Sequence, residues 1–541
     1  MSKNSRDPFS RPQRLLGEGM LASARRHPEK TALVIEGEPY TYAQLHDASL
    51  RLAAALKKRG LQPGDRVAIY MDNTWPAVVS IYGTLLAGGV FFVINPQTKK
   101  KKLQFLLQDS EAKLLLTDSH LAKVFLPAVQ EQKTASLRSI IFSGSLPPGE
   151  SAPPIPDITI ENFAAVLADS APLPLPETLP VIPLDLAAFI YTSGSTGEPK
   201  AVMQTHQSMV FAAWSLIEYI RLSAHDRIMV VLPFAFDYGL YQLLMTMKLG
   251  ATLVVERSFT FPALIYKRIR EEEATVFPGV PTMFAMMITS HRKKSLCFPT
   301  ITRVTNTAAT LPAQFIPELQ EIFPQALIFK MYGLTECKRV SYLEPELVEQ
   351  KPQSIGKAIP GTEIFLLSPE KEEVPAGKPG ILHVRGPHVM AGYWKRPELS
   401  AKMLKPGKNP GERILCTHDW CRMDVDGDLY FIGRNDDIIK TRGEKVSPVE
   451  VENVLHSIVP GVREAVVIGK DDPLLGQGIW AFLTLEENTA ANEKQLKKIC
   501  LAHLENFMVP QRIIFLEQMP KTANGKIDKK ALSALAENEE S

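Results

Sequence analysis

Residues 186–200 read Leu-Ala-Ala-Phe-Ile-Tyr-Thr-Ser-Gly-Ser-Thr-Gly-Glu-Pro-Lys. The apolar run Leu186–Tyr191 has the composition of a core strand, and it passes directly into a loop of hydroxyls and glycines. Gly194 and Gly197 free the backbone to wrap closely. The hydroxyls of Thr192, Ser193, Ser195 and Thr196 then converge with backbone N–H groups and the ammonium of Lys200. Many donors, one point charge and no bulky side chain are what a polyphosphate requires. The spacing is not GxxxxGK[ST], so the P-loop kinase and GTPase folds are not implied.

Outward from this loop, short β-type runs alternate with helical patterns. The runs are Arg66–Met71, Lys113–Thr117, Ile228–Leu232, Thr252–Val255 and Ala326–Lys330, and Gln44–Gly60 reads as an amphipathic helix with Leu45, Leu52 and Leu56 on one face. The alternation predicts parallel strands with crossover helices, an α/β architecture. Pro76–Ile94 carries no charge over a span just long enough to cross a bilayer. Its glycines and its β-rich end instead predict a buried helix turning into a core strand. Lys99–Lys102 reads as a solvated helix face. The Pro-, Ser- and Ala-rich stretch 146–183 reads as a surface excursion or an inter-lobe connection.

Composition closes off several classes. The 541 residues are 45% hydrophobic and 22% charged, with a net charge of +2, which fits a folded soluble chain and gives no bulk attraction to nucleic acid or anionic membrane. Five cysteines without a CxxC pair argue against a disulfide framework or structural zinc. The N-terminus lacks the pattern of a secretory signal, so a soluble, cytoplasmic protein is expected. Near Gly433 the pattern changes to a smaller α+β unit, with helices over 448–456 and 493–504 and strands near 465–468, 480–485 and 513–516. The expected division is 1–433 for a large, multi-lobed domain and 434–541 for a small mobile one, joined at 433–437.

The decapeptide Tyr191–Lys200 resembles the phosphate loop of the adenylate-forming superfamily, which includes acyl-CoA synthetases, peptide-synthetase adenylation domains and firefly luciferase. Other segments follow in that family's order and span nearly the whole chain. NTAATL (306–311) resembles its adenine-side loop, YGLTE (332–336) its YGxTE, GRND (433–436) its GRxD hinge and PKTANGK (520–526) its C-terminal lysine motif. The resemblance implies that Thr192–Gly197 and Lys200 hold phosphates, and that Thr307, Ala308 and Ala309 face adenine, against which Tyr332 stacks. It further implies that Thr335 bonds the α-phosphate, that Glu336 ligates Mg²⁺ and that Asp419 and Arg434 hold the ribose. Lys526 would stabilise charge at the bridging oxygen in the first step. Asp436 would be the hinge, and Lys440 and Gly443 would enter the site for the second step, Gly443 letting a pantetheine thiol pass. His418 stands where the family usually has glycine.

For the acid, LPFAFDYG (232–239) resembles the family's aromatic-gate motif, with Phe236 as the gate. Asp237 corresponds to the aspartate that pairs with the substrate ammonium in amino-acid-activating members; as a buried carboxylate it needs a cationic or donor partner, unless it caps a helix. Gly279, Val280, Pro281, Met283 and Phe284 would complete an apolar pocket. No carrier-protein serine motif follows Lys526, so the acceptor is expected to be coenzyme A or a separate carrier protein. The expected activity is an AMP-forming acid–thiol ligase using ATP and Mg²⁺, without a nucleic-acid partner. The alternatives are an amino-acid–carrier ligase, a luciferase-like oxygenase and a catalytically silent nucleotide-binding protein.

Overall fold

The computed structural model describes residues 13–538 apart from 132–133, 146–154, 176–178, 180, 194–198, 435–436, 442–443, 460, 473–474, 487–488, 490, 505 and 523–525. Within those residues the chain forms four sheets. The first has eight strands and is built around the parallel set Arg66–Tyr70, Val90–Ile94, Leu114–Asp118, Ser139–Ser143 and Leu186–Ser193. Pro199–Thr205 turns back antiparallel on Leu186–Ser193. The second sheet has nine strands, and its parallel centre includes Arg227–Val230, Thr252–Val255, Val276–Gly279, Arg303–Asn306 and Leu327–Tyr332. Mixed, mainly parallel sheets with crossover helices are therefore observed.

The uncharged segment 76–94 behaves as its composition predicts. The helix Trp75–Ala87 is buried from Ala77 onward, Gly88 ends it with φ of 85°, and Val90–Ile94 then pairs parallel with Arg66–Tyr70. No helix among the described residues is long and apolar enough to cross a membrane. The preceding helix, Tyr42–Lys58, starts at a reciprocal cap between Thr41 and Gln44 and packs on Trp75–Ala87. These helices, with His206–Ile220 and Asp237–Leu249, fill the space between the two large sheets in one continuous core.

One segment differs from its expected role, and another matches it. The Pro-rich stretch conceals the strand Thr159–Asn162, which extends the first sheet at its edge, and the helix Phe163–Ala168, which buries Phe163 and Val166 against the core. Asn162 caps that helix through Ala164 and Ala165 N–H, so a polar residue inside the excursion is what starts ordered structure there. The basic run at 99–102 lies at the start of the helix Lys100–Ser110, and Lys100 pairs in the open with Glu131 at 2.7 Å.

A third, antiparallel sheet contains Glu363–Leu367, Pro379–Arg385, Leu404–Pro406, Arg413–Met423 and Leu429–Arg434. The fourth begins at Ile439 and has its own core around Val446, Val451, Ile479 and Ile513. Arg292 ties this last unit to the body. It makes two 2.8 Å bonds to Glu318 beneath it and a 2.5 Å bond to Glu486 of the small unit.

Candidate active site

Parallel strands deliver loops at their carboxyl ends, where open α/β sheets bind ligands. In the second sheet Gly279 lies opposite Asn306, and Asn306 opposite Lys330. The segments that follow are Val280, Thr307–Ala309 and Tyr332–Glu336, so three stretches separated in sequence emerge side by side. Gly279 admits no side chain, because a Cβ there would stand 2.5 Å from the ring of Phe284. Thr192 and Lys200 arrive from the adjoining strands of the first sheet, opposite each other in register. Of the sequence-expected phosphate residues, Gly194, Ser195, Thr196 and Gly197 lie outside the described residues, and Ser193 is described by its backbone alone.

Lys200 is held by charge and by a ring. Its Nζ donates to Tyr393 Oη at 2.7 Å, stands 4.0 Å from the centre of that ring and lies 3.6 Å from Glu336 Oε1. The Tyr393 hydroxyl donates to the same Glu336 oxygen at 2.5 Å. Burial and then the Glu336 charge push the Tyr393 phenol far above its ordinary range, keeping it a donor. Glu336 is buried, and its Oε2 accepts no hydrogen bond among the described residues. A hard carboxylate oxygen so placed beside the phosphate loop fits Mg²⁺, whose remaining ligands would be phosphate oxygens. Sequence reading missed Tyr393. Its only signal is an aromatic pair, Tyr393–Trp394, after Gly392, with no spacing that ties it to Lys200.

On the other side of Glu336, Tyr332 donates its hydroxyl to Asp419 Oδ2, and Arg434 Nε lies 3.4 Å from Asp419 Oδ1. Asp419 and Arg434 are partners in one antiparallel pair, so the sheet itself sets their separation. Burial raises the Asp419 carboxyl above its usual value, with Arg434 pulling against that shift. His418 takes φ of 58°, the left-handed conformation natural to glycine, and its Nε2 lies 3.3 Å from Lys402 O. Ala308 likewise takes φ of 76° in the adenine-side loop. Thr335 is fixed through its backbone, where Gln204 Nε2 donates to its carbonyl at 2.9 Å.

Three buried polar atoms in these segments make no hydrogen bond: Thr192 Oγ1, Asn306 Nδ2 and Asp419 Oδ1. Orphaned groups at converging strand ends mark places where a ligand supplies the missing partners. The third-sheet pair and the Lys200 cluster thus present an acceptor and donors on either side of one cleft, an arrangement suited to a nucleotide.

The acid side departs from expectation. Phe236 precedes and Asp237 opens the helix Asp237–Leu249, but the Asp237 side chain does not cap it. Its partner is Lys338, with Nζ 3.2 Å from Oδ2, and that ammonium is 2% exposed. Lys338 Nζ also lies 4.4 Å from the centre of the Tyr241 ring. Burial alone would raise the Asp237 carboxyl; Lys338, Arg339 and, more weakly, Lys526 outweigh it and hold it below its usual value. Burial and then Arg339 push the Lys338 ammonium down to about 7, against the pull of Asp237. The cation that Asp237 requires is therefore supplied by this chain. Neither Lys338 nor Arg339 is visible as a site residue in the sequence, where CKRV reads as an ordinary charged turn.

Lys526 comes from the small unit and is exposed. Thr522 fixes its backbone by donating from N and Oγ1 to the Lys526 carbonyl at 2.7 and 3.2 Å. Its charge acts weakly on Asp237. Asp436 and Gly443 lie outside the described residues, and Lys440 is described only as part of the strand Ile439–Thr441.

Comparison with known proteins agrees with this geometry. Residues 21–394 match the model of the AMP-binding enzyme family, and residues 450–526 match that of the AMP-binding enzyme C-terminal domain. A long-chain-fatty-acid–CoA ligase of Bacillus subtilis is 30% identical over 96% of this chain and 94% of its own length. Tyrocidine synthase 3 of Brevibacillus parabrevis is 30% identical over 93% of this chain, which spans only 7% of that synthase. Among solved structures, a benzoate CoA ligase from Burkholderia xenovorans superposes with a TM-score of 0.84 at 26% identity, covering 96% of this chain and 99% of the ligase. The anthranilate CoA ligase AuaEII, bound to anthranoyl-AMP, gives a TM-score of 0.85 at 25% identity over 98% of this chain and 99% of the ligase. With both parts of the family pattern matched in order, and the polar groups gathered at the strand ends, the chain belongs to the AMP-binding enzymes, within the adenylate-forming superfamily.

Proposed function

We propose that this protein is an AMP-forming acid–thiol ligase of the acyl-CoA synthetase type. The observation that supports this most is the Lys200–Tyr393–Glu336 cluster at the strand ends, carried by the same segment whose Tyr332 bonds Asp419. In the first step a carboxylate oxygen attacks the α-phosphorus of ATP and pyrophosphate leaves. Lys526 holds positive charge where the attacking carboxylate and the bridging oxygen approach, and Lys200 holds the departing phosphates. Glu336 would hold Mg²⁺, which would supply positive charge against the phosphates. Tyr332 stacks on adenine, and Asp419 with Arg434 takes the ribose hydroxyls. Thr335 orients the α-phosphate, while Thr192–Gly197 wrap the others.

In the second step a thiol sulfur attacks the acyl carbonyl carbon, AMP leaves and the thiol proton passes to solvent. The small unit, 434–541, turns about Asp436 between the two steps and brings Lys440 and Gly443 to the thiol's path. The start of a separate sheet at Ile439 supports that division. The acceptor is the pantetheine thiol of coenzyme A or of a separate carrier protein, and the enzyme works in the cytoplasm. The pairing of Asp237 with Lys338 favours an acid without an ammonium group over an amino acid.

Carboxylate-dependent ATP–pyrophosphate exchange tests the reading, with Lys526→Ala as control. Exchange that depends on an added acid and falls in the variant is expected. Absence of exchange with fatty, aryl and amino acids alike would overturn the ligase and leave a nucleotide-binding protein.

A further inference from the structure

The reaction above leaves one buried group without a task. Lys338 and Arg339 follow the YGLTE segment, and Lys338 takes φ of 61°, which folds the chain back beneath the strand end. Both residues are buried, at 2% and 3% exposure. Long cationic side chains stay at the surface unless paired. Lys338 is paired with Asp237. Arg339 is not paired with any carboxylate among the described residues. Its guanidinium carbon lies 5.1 Å from the centre of the Tyr238 ring, one Nη1 hydrogen reaches Thr307 Oγ1 at 3.2 Å, and another bonds the Lys338 carbonyl at 3.3 Å. The Tyr219 hydroxyl also faces it. Its Nε is buried and makes no hydrogen bond.

The position matters as much as the imbalance. Tyr238 adjoins the acid-side Asp237, and Thr307 belongs to the adenine-side loop, so the guanidinium stands between the two halves of the cleft. Two buried basic side chains there face one carboxylate, and the Arg339 guanidinium keeps a strong donor without a partner. A buried charge without a counter-ion is stable only when something supplies one. The reacting carboxylate of the substrate has Lys526 on its path, so it does not fill this role. An ammonium group would enter a region already in excess of positive charge and would compete with Lys338 for Asp237. A plain aliphatic acid would leave Arg339 Nε unpaired.

We propose that the acid activated by this enzyme carries a second carboxylate, and that this distal group accepts from Arg339 beside the Lys338–Asp237 pair. This rests on the ligase reading and narrows it to a substrate class, a dicarboxylic acid. The planar guanidinium suits a carboxylate because two parallel N–H groups match its two oxygens.

The test uses the full chain in ATP–pyrophosphate exchange with the α,ω-dicarboxylates from succinate to suberate. Each is set against the monocarboxylate of equal length and the corresponding α-amino acid. One diacid should exceed its monoacid in kcat/KM by about 10- to 100-fold, the range of a hydrogen bond to a buried charge. Arg339→Met should remove most of that preference, and Arg339→Lys should retain part of it. Preference for monoacids or amino acids would overturn the proposal while leaving the ligase standing, and so would an unchanged ratio in Arg339→Met. The wild-type ratios decide even where Arg339→Met does not fold. Silence with every acid would instead remove the ligase reading itself, and this proposal with it.

Discussion

The two sides of the cleft handle charge differently. On the nucleotide side, charged and polar groups stand in short chains that end at an open position. Tyr332 leads to Asp419 and then Arg434, while Tyr393 joins Lys200 to Glu336. On the acid side the chain has already neutralised its own carboxylate, because Lys338 sits on Asp237. The nucleotide side is thus built for a partner of known and constant charge. On the acid side Asp237 is matched by Lys338, and Arg339 Nε is left without a partner among the described residues. Selectivity for the acid therefore depends on a surplus, not on a matched pair.

The contrast can be broken in several places. The largest effect is expected at Lys526, a cation of the small unit. Lys526→Ala should lower acid-dependent exchange by about 10²- to 10³-fold, the scale for losing one preorganised charge stabiliser. Thioester formation from supplied acyl-adenylate should fall far less. Equal losses in the two assays would remove its special role in the first step.

Next comes the internal pair. Asp237→Ala leaves Lys338 without its counter-ion, and should lower the denaturant midpoint, more at acid pH, where the amine must stay charged, than at alkaline pH. The double variant Asp237→Leu with Lys338→Met should recover most of that loss. A single variant as stable as the wild type would show that the pair does not balance charge within the chain.

On the nucleotide side Asp419→Asn should raise the KM for ATP by about 10-fold, one charge-assisted hydrogen bond's worth, while the KM for the acid moves little. A parallel change in both constants would mean that the two sides are not separable. Gly279→Ala is a steric test, since its Cβ would meet the Phe284 ring at 2.5 Å. An overpacking cost of about 1–3 kcal/mol is expected, read as a lower unfolding midpoint.

The smallest effect concerns pH. Burial lowers His206 and His388 from 6.5 to about 4 in the folded chain. Their folded values lie below the unfolded one, so their contribution is complete above about pH 6.5 and is lost as pH falls towards 4. His388→Gln should flatten that acid limb of the stability curve. An unchanged limb would show that the ring is not held neutral.

The same contrast explains what was legible in advance. The strand into the Ser/Thr/Gly loop and the helix-to-strand turn at Gly88 are local patterns, so the sequence carries them directly, whereas Asp419 and Arg434 were reached only through the family resemblance. Lys338 and Arg339 were not legible, since a charged dipeptide normally marks a solvated turn, and their burial comes from the fold closing around Tyr238, Tyr241 and Thr307. Asp237 was recognised as needing a cation, but the cation lies about a hundred residues further along the chain. The edge strand Thr159–Asn162 was hidden because a Pro-rich composition describes the whole excursion and not its four ordered residues.

The clasp at Arg292 bears on how freely the small unit can leave. Glu318 keeps its two bonds to the guanidinium whether or not Glu486 is present, so separation never strands a bare charge. At this clasp what is given up is one partly exposed contact, worth about 0.2–1 kcal/mol. A clasp that weak biases an equilibrium without locking it. Because dissolved ions screen such contacts over about 8 Å at physiological ionic strength and about 30 Å in dilute buffer, the resting orientation becomes a property of the medium. Turnover in dilute buffer should then be held back at the changeover, and added salt should release it.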